Sequence, residues 1–296
     1  GHVDHGKSSI LDKIRGTAIV KTEAGGITQA ISSTLVPIDA VKKVCGTLLT
    51  SLKLDIRLPG LLFLDTPGHA AFNNLRKRGG NLADIAVLVI DINEGIKEQT
   101  IEVINILKNY KTPFLIAANK IDIISGYRHH DTNLVDNLKK QTELTKKILD
   151  EKIYTLVGKL YNLGFESERY DRVQDYRKQL AIIPLSAKTG DGIPELLMMI
   201  TGLAQRYLEE SLRINVSGPG KGVILEVKEE KGLGTTLDVI LYDGKIKIED
   251  VIVIGGIDQP VVTKVKALFQ PEPLADIKKA KFRPVDECAA AIGVKI

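Results

Sequence analysis

Gly1-His2-Val3-Asp4-His5-Gly6-Lys7-Ser8 is the stretch on which the reading of this 296-residue chain turns. Two glycines with four residues between them, followed by Lys and Ser, form the pattern of a loop that wraps phosphate groups. Glycines let the backbone curl until successive amides point inward at phosphate oxygens. The spacing puts Lys7 at the β- and γ-phosphates and the Ser8 hydroxyl on Mg²⁺, with Val3, Asp4, His5, Gly6 and Ser9 lining the same nucleotide. A helix is expected from about Ser8, its positive end turned to the phosphates. The motif specifies a nucleoside triphosphate but not which one. Such a loop is aimed by a buried strand in front of it. The sequence opens inside the loop, so that strand is expected to be missing, and Ala289-Ala-Ala-Ile-Gly-Val-Lys-Ile296 stops in mid-strand pattern.

Working outward, residues 1–216 alternate short apolar runs with amphipathic stretches, which predicts a mostly parallel sheet flanked by helices. The runs Leu61 to Leu64, Ile85 to Ile90, Phe114 to Ala118 and Ile182 to Leu185 are apolar on consecutive positions, as strands covered on both faces should be. Helical patterns cover Thr100 to Tyr110 and Pro194 to Tyr207. A longer helical insertion spans Leu134 to Phe165. Its Leu149, Ile153, Leu156, Leu160 and Leu163 give one apolar face, expected to pack on the sheet domain. Ser217-Gly218-Pro219-Gly220 reads as a linker. Beyond it the period changes to two, in Val223, Leu225 and Val227 and in Leu237, Val239 and Leu241. Asp243-Gly244 signals a hairpin turn before Ile246 and Ile248. Residues 217–296 are therefore expected to form a small β-barrel or sandwich, incomplete at its C-terminal end.

Composition narrows the class. Hydrophobic residues at 44% and charged residues at 26% exclude long disorder. A net charge of +4 is compatible with an RNA-rich partner and equally with none. Cys45 and Cys288 lie far apart without metal-ligand spacing, which fits a reducing cytoplasm. No stretch approaches the length of an apolar membrane span.

Three further loops specify the nucleotide. Asp65 ends an apolar run, the place for a carboxylate that holds Mg²⁺ through water, and Gly68 follows where an amide can reach the γ-phosphate. His69 comes next, where a side chain can orient the attacking water. Asn119-Lys120-Ile121-Asp122 follows the run Phe114 to Ala118. The Asp122 carboxylate accepts two hydrogen bonds from guanine, and adenine offers no such pair, so the site selects GTP over ATP. Ser186-Ala187-Lys188 follows the fourth run, so its amides can approach the guanine carbonyl. Between these elements, Ala24-Gly-Gly-Ile-Thr-Gln29 has no clear period and carries Thr28, which suits a switch loop joining Mg²⁺ only while the γ-phosphate is present. The order of these elements along the chain predicts a GTP hydrolase.

Gly1 to Ser8 together with Asp65-Thr-Pro-Gly-His69 resembles the translational GTPases, in which a histidine stands where many signalling GTPases carry glutamine. Glu23-Ala-Gly-Gly-Ile-Thr-Gln29, Phe72 to Gly80, Asp91-Ile-Asn-Glu-Gly95, Gly164-Phe-Glu-Ser-Glu-Arg169 and Ile224 to Gly234 resemble translation initiation factor five-B, the archaeal and eukaryotic relative of bacterial initiation factor two. The resemblance covers essentially the whole chain.

It implies a cytoplasmic, monomeric factor that binds the large ribosomal subunit and ribosomal RNA with GTP and Mg²⁺, promotes subunit joining, and leaves after hydrolysis to GDP. Initiator tRNA would be bound through domains that nothing here matches. The resemblance also implies that Val3 and Ile27 form an apolar gate restraining His69, and that Asp4 contacts a monovalent cation or the switch loop. Arg76, Lys77 and Arg78 form a basic run that either meets ribosomal RNA or is a solvated helix face. Three rival readings are weighed: a tRNA-delivering elongation factor, a GTP-dependent binding scaffold whose hydrolysis is incidental, and a kinase or ATP-driven motor, against which Asp122 argues.

Overall fold

The computed structural model describes residues 1–2, 4–18, 32–50, 55–65, 83–211, 218–230, 232–256, 258–271, 282–290 and 292–296. They fall into two compact units. The first holds residues up to 18, 39–50, 55–58 and 83–206, and the second holds 32–38, 59–65 and the residues from 207 onward.

The first unit opens with α1 (Lys7–Ala18), whose Ile10, Leu11 and Ile14 are buried along one face. β1 (Ser32–Pro37), which with β2 (Gly60–Asp65) belongs to the second unit, precedes α2 (Ile38–Cys45) and the single turn α3 (Thr47–Thr50). β2 contains the first of the apolar runs. The expectation that it joins the parallel sheet is corrected here. It pairs antiparallel with β1, Thr34 opposite Phe63, as a separate two-stranded sheet, and only Leu61 along it is buried. An apolar run specifies burial and does not specify a pairing partner.

The other three runs build the sheet that positions the loops. β3 (Ala86–Asp91), β4 (Phe114–Asn119), β5 (Glu166–Arg169) and β6 (Gln179–Pro184) are parallel in the order β3-β4-β6-β5. Every residue of the interior strand β4 is buried, as a strand covered on both faces requires. β5 was not foreseen, and its sequence Glu-Ser-Glu-Arg explains why: an edge strand carries charge rather than an apolar run.

Between these strands, α4 (Glu98–Asn109) buries Thr100, Ile104 and Leu107. The insertion is two helices, α5 (Leu134–Lys140) and α6 (Glu143–Asn162), separated where Thr142 caps α6 by accepting from the Thr145 amide. Along α6 the buried stripe is Thr145, Leu149, Ile153, Leu156 and Leu160, and α6 packs beside β5. Leu163 is the C-cap, half-buried, and does not belong to the stripe. α7 (Ile193–Ser211) follows a Gly190-Asp191-Gly192 turn.

The second unit is antiparallel. β7 (Lys221–Glu230), β8 (Gly234–Asp243), β12 (Leu268–Pro271), β13 (Phe282–Val285) and β15 (Ile292–Lys295) form a sheet ordered β13-β12-β15-β8-β7. Two ribbons join β9 (Lys245–Lys247) to β14 (Glu287–Ala289) and β10 (Val251–Ile254) to β11 (Val261–Lys264). The core is Val239, Leu241, Ile246, Val265, Leu268, Cys288, Ile292 and Val294.

Three details depart from the expected alternation. A register shift between Ile224 and Glu226 moves Ile224 onto the core and leaves Val227 59% exposed, because an extra residue in one strand flips every side chain beyond it. Asp243-Gly244 turns the chain, with Gly244 at φ +67°, but β9 then pairs with β14 instead of returning along β8. Pro219 bridges Lys245, so the described part of the expected linker is built into this unit.

Truncating Ile153, which is fully buried on α6, to Ala is expected to cost about 2–5 kcal/mol in urea unfolding. Leu163→Ala at the half-buried cap is expected to cost distinctly less.

Candidate nucleotide site

The phosphate-loop motif lies directly before α1, which starts at Lys7 with no acidic residue in its first turn. The first amides of a helix have no carbonyl partner within it, and the missing negative charge leaves that end suited to an anion. Asp4 sits at φ +63° and Gly6 at φ +89°, so the loop curls through two left-handed positions. A side chain at Gly6 would also be blocked, since a Cβ there would lie 2.3 Å from the Asn119 amide nitrogen. Lys7 Nζ points back across the loop and donates to the carbonyls of Gly1 at 3.0 Å and His2 at 2.8 Å. Ser8 is half-buried and Ser9 exposed.

His5 is fully buried under the loop. Burial lowers its pKa, and this outweighs the opposite pull of Glu94, whose Oε2 lies 3.6 Å from Nε2, so the ring is held below the usual histidine range. His5 is therefore a packing residue of the loop.

The end of β4 delivers the next part. Asn119 is 2% exposed and its side chain makes two bonds of opposite sense. Nδ2 donates to the His5 carbonyl at 2.9 Å, and Oδ1 accepts from the Ala187 amide at 3.0 Å. One side chain thus joins the phosphate loop to the loop after β6. Lys120 is left-handed at φ +70°, and its Nζ lies 2.9 Å from Asp91 Oδ2 at the end of β3. Asp122 sits on a single 3₁₀ turn over Ile121–Ile123, where its Oδ1 accepts from the Ser186 hydroxyl at 2.6 Å. The Lys188 carbonyl accepts from Lys13 Nζ of α1 at 3.4 Å.

Asn119, Lys120, Asp122, Ser186, Ala187 and Lys188 are therefore brought together with Asp4, His5, Gly6, Lys7, Ser8 and Ser9 around the C-terminal ends of parallel strands, where ligands of open α/β sheets bind. Asp65 is the last residue of β2, in the second unit. Val3, Ile27, Thr28, Gly68, His69, Arg76, Lys77 and Arg78 lie outside the described residues. Among the described residues there is no cluster of three or more His, Cys, Asp or Glu side chains suited to a metal ion.

Two residues bonded to these loops were not picked out from the sequence as site residues: Asp91 pairs with Lys120, and the Asp191 carbonyl accepts from the Ser186 amide. Asp91 is 4% exposed and braces Lys120; a carboxylate ending the run Ile85 to Ile90 was the available signal. Asp191 stands in a glycine turn, where an acidic residue carries no distinctive pattern.

The Asp91–Lys120 pair has a pH signature. Burial would raise the Asp91 pKa, but hydrogen bonds from Lys120 and the Asn93 amide hold it below its ordinary 3.8. A depressed carboxylate contributes stability that is present above about pH 4 and is lost as pH falls through the folded-state value. Lys120→Met leaves burial unopposed by the ammonium. The acid-unfolding midpoint is expected to move to higher pH, and stability at pH 7 to fall by about 1.5–3 kcal/mol, as followed by circular dichroism.

With this geometry in hand, the likenesses to known proteins are specific. Residues 1–206 match the family model described as the elongation factor Tu GTP binding domain. The chain is 56% identical over 299 residues to a probable translation initiation factor IF-2 of Methanopyrus kandleri, and 57% identical over 300 residues to that of Thermococcus sibiricus. Each alignment takes in 100% of this chain and 50% of the relative. The chain thus spans about half the length of these curated relatives. The crystal structure of GDP-bound aIF5B from Aeropyrum pernix superposes with a TM-score of 0.90 at 50% identity, again over 100% of this chain and 50% of that one. A bacterial selenocysteine-specific elongation factor, at TM-score 0.59 and 22% identity, shares the fold. The family model spans more than half of the chain, which therefore belongs to the family of the elongation factor Tu GTP-binding domain.

Proposed function

We propose that the protein is a ribosome-dependent GTP hydrolase of translation initiation, which promotes subunit joining and supports placement of initiator tRNA. The observation that carries this reading is the Asn119 junction together with Asp122 held by Ser186, in a chain that aligns from end to end with archaeal initiation factors. The likeness to initiation factors, at 50% identity or more over the whole chain, favours initiation over tRNA delivery, for which the fold alone is shared.

In this reading Asp122 accepts from the guanine base, and the loop Ser186–Lys188 borders its carbonyl. Lys7 and the first amides of α1 hold phosphate oxygens and stabilise the charge that develops on them as water attacks the γ-phosphate. Ser8 and Thr28 ligate Mg²⁺, and Asp65 holds it through water. The anion-oriented start of α1 and the hydroxyl beside it suit a magnesium nucleotide. When bound, the ion neutralises phosphate charge. His69 orients the attacking water, and Gly68 offers its amide to the γ-phosphate. Val3 and Ile27 gate that histidine. Asp4, exposed at the lip of the loop, is the place for a monovalent cation. Ribosomal RNA and the large subunit are the partners, the site of action is the cytoplasm, and initiator tRNA is held by parts of the protein beyond this chain. Among the described residues no helix is long and apolar enough to cross a membrane.

Hydrolysis by the full-length protein is expected to be slow alone, down to about 10⁻³ per second, and to rise by up to ~10⁵ with large ribosomal subunits. His69→Ala should abolish that stimulation while leaving GTP binding intact. Stimulation that survives in the variant removes His69 from the mechanism, and equal ribosome binding with GDP and GTP would overturn the switch in favour of a scaffold.

Asp122→Asn provides the second check. An amide presents a donor where guanine also has one, so GTP affinity should fall by about 10²-fold or more, the scale of an unpaired buried polar group, and xanthine nucleotides should bind better. Unchanged GTP affinity would place the base elsewhere.

A further inference from the structure

Asp191 is 6% exposed and gathers more polar side chains than any role in a simple turn requires. Its Oδ2 accepts from the Tyr127 hydroxyl at 2.9 Å and from the Thr189 hydroxyl at 2.7 Å. Its Oδ1 accepts from Asn137 Nδ2 at 2.9 Å and meets His129 Nδ1 at 2.8 Å. Thr189 belongs to the loop after β6. The other three, Tyr127, His129 and Asn137, lie between β4 and α6, on α5 and the loop leading to it. Burial and the neighbouring Asp191 both push the Tyr127 hydroxyl up, so it remains a donor.

The region that supplies these donors is itself firmly anchored. The Leu134 amide, at the start of α5, donates to buried Glu195 Oε1 of α7 at 2.7 Å. Gln141 closes the loop from behind: its Nε2 donates to the Arg128 carbonyl and to Asn137 Oδ1, and its Oε1 accepts from the Arg128 amide. Asn137, which also donates to the Tyr127 hydroxyl at 3.2 Å, is therefore held by contacts besides the one to Asp191.

From Asp191 a continuous relay runs to Asp122. The Asp191 carbonyl accepts from the Ser186 amide at 2.9 Å. The Thr189 amide donates to Ser186 Oγ at 3.1 Å, and that same hydroxyl donates to Asp122 Oδ1 at 2.6 Å. The turn that carries Asp191 lies so close to the end of β6 that only glycine fits at position 192, where a Cβ would lie 2.3 Å from the Pro184 carbonyl oxygen.

We propose that Asp191 is a positioning residue for guanine recognition, and that Tyr127, His129 and Asn137 brace it so that the insertion sets how strictly and how tightly the base is held. This rests on the reading of Asp122 as the base-binding carboxylate. Tyr127, His129 and Asn137 touch no base in it. They act through Asp191 and Ser186 on the orientation of Asp122. His129 is the accessible end of the brace, its side chain 47% exposed against 2% for Asp191, so a partner that draws His129 away loosens the base from the surface.

The test uses the full-length protein and compares GDP with IDP, whose base lacks the exocyclic amino group. Both are measured by stopped-flow dissociation and by equilibrium competition. A misoriented Asp122 loses its contact to that amino group, which only GDP has, whereas general loosening of the fold weakens both nucleotides alike. Tyr127→Phe combined with His129→Ala is expected to speed GDP release about five- to tenfold and to shrink the GDP preference over IDP by a similar factor, the scale of losing a hydrogen bond to a charged group. His129→Asn, which keeps a donor near the Nδ1 position, should leave both values close to those of the parent protein. Asn137→Ala, at a fully buried position, should act in the same direction and is read only where its melting curve stays cooperative. Equal weakening of GDP and IDP, or no change in either, would overturn the proposal while leaving the base site in place. Failure of the parent protein to distinguish GDP from IDP would overturn the reading of Asp122 and this proposal with it.

Discussion

The Asn119 carboxamide is the contact on which the rest of the first unit depends. It has one donor side and one acceptor side, and the chain supplies one partner for each: the His5 carbonyl in the phosphate loop and the Ala187 amide after β6. Asn119 is nearly inaccessible, so losing either partner would leave a buried polar group unsatisfied. The contact works only if three chain segments far apart in sequence arrive within hydrogen-bond reach. The parallel sheet brings them there, since β3, β4 and β6 all point the same way and release their loops at one edge. Gly6 is a consequence of that closeness, because no side chain fits between the loop and Asn119.

Around this contact the acidic residues divide the work by environment. Asp91 is buried and held ionised by Lys120, which fixes the left-handed residue between Asn119 and the 3₁₀ turn. Asp122 carries one bond from Ser186 and keeps its other oxygen for a ligand in the proposed role. Asp191 receives four side chains and serves the loop rather than the ligand. Burial alone does not separate these roles. The partners do.

Much of the candidate site was legible because the chemistry proposed for it demands particular residue types at short spacing. The loop from Gly1 to Ser8, the tetrapeptide Asn119 to Asp122 and Ser186-Ala187-Lys188 each follow from what a phosphate or a guanine must be offered, and each sits where a run of apolar residues ends. The stripe on α6 was legible from its three- and four-residue spacing, apart from its last position at the helix cap. Less was legible where no such demand exists. β5 is charged and short; the shift in β7 arises from one extra residue; and β9 leaves β8 for β14 after a turn that looks like an ordinary hairpin. Local sequence does not encode which distant strand will be the neighbour.

The sequence by itself determined most of the element types, the order of the candidate nucleotide loops and the change from a parallel α/β unit to an antiparallel one, because periodicity and motif spacing are local properties of the chain. Only the tertiary structure decided that Leu61 to Leu64 pairs with Ser32–Pro37, that Asn119 joins two loops, and that Tyr127, His129 and Asn137 converge on Asp191. The physical reason is the same in each case. A hydrogen bond or a strand pairing depends on distances between groups that are remote along the chain, and those distances exist only once the sheet has closed and the helices have packed on it.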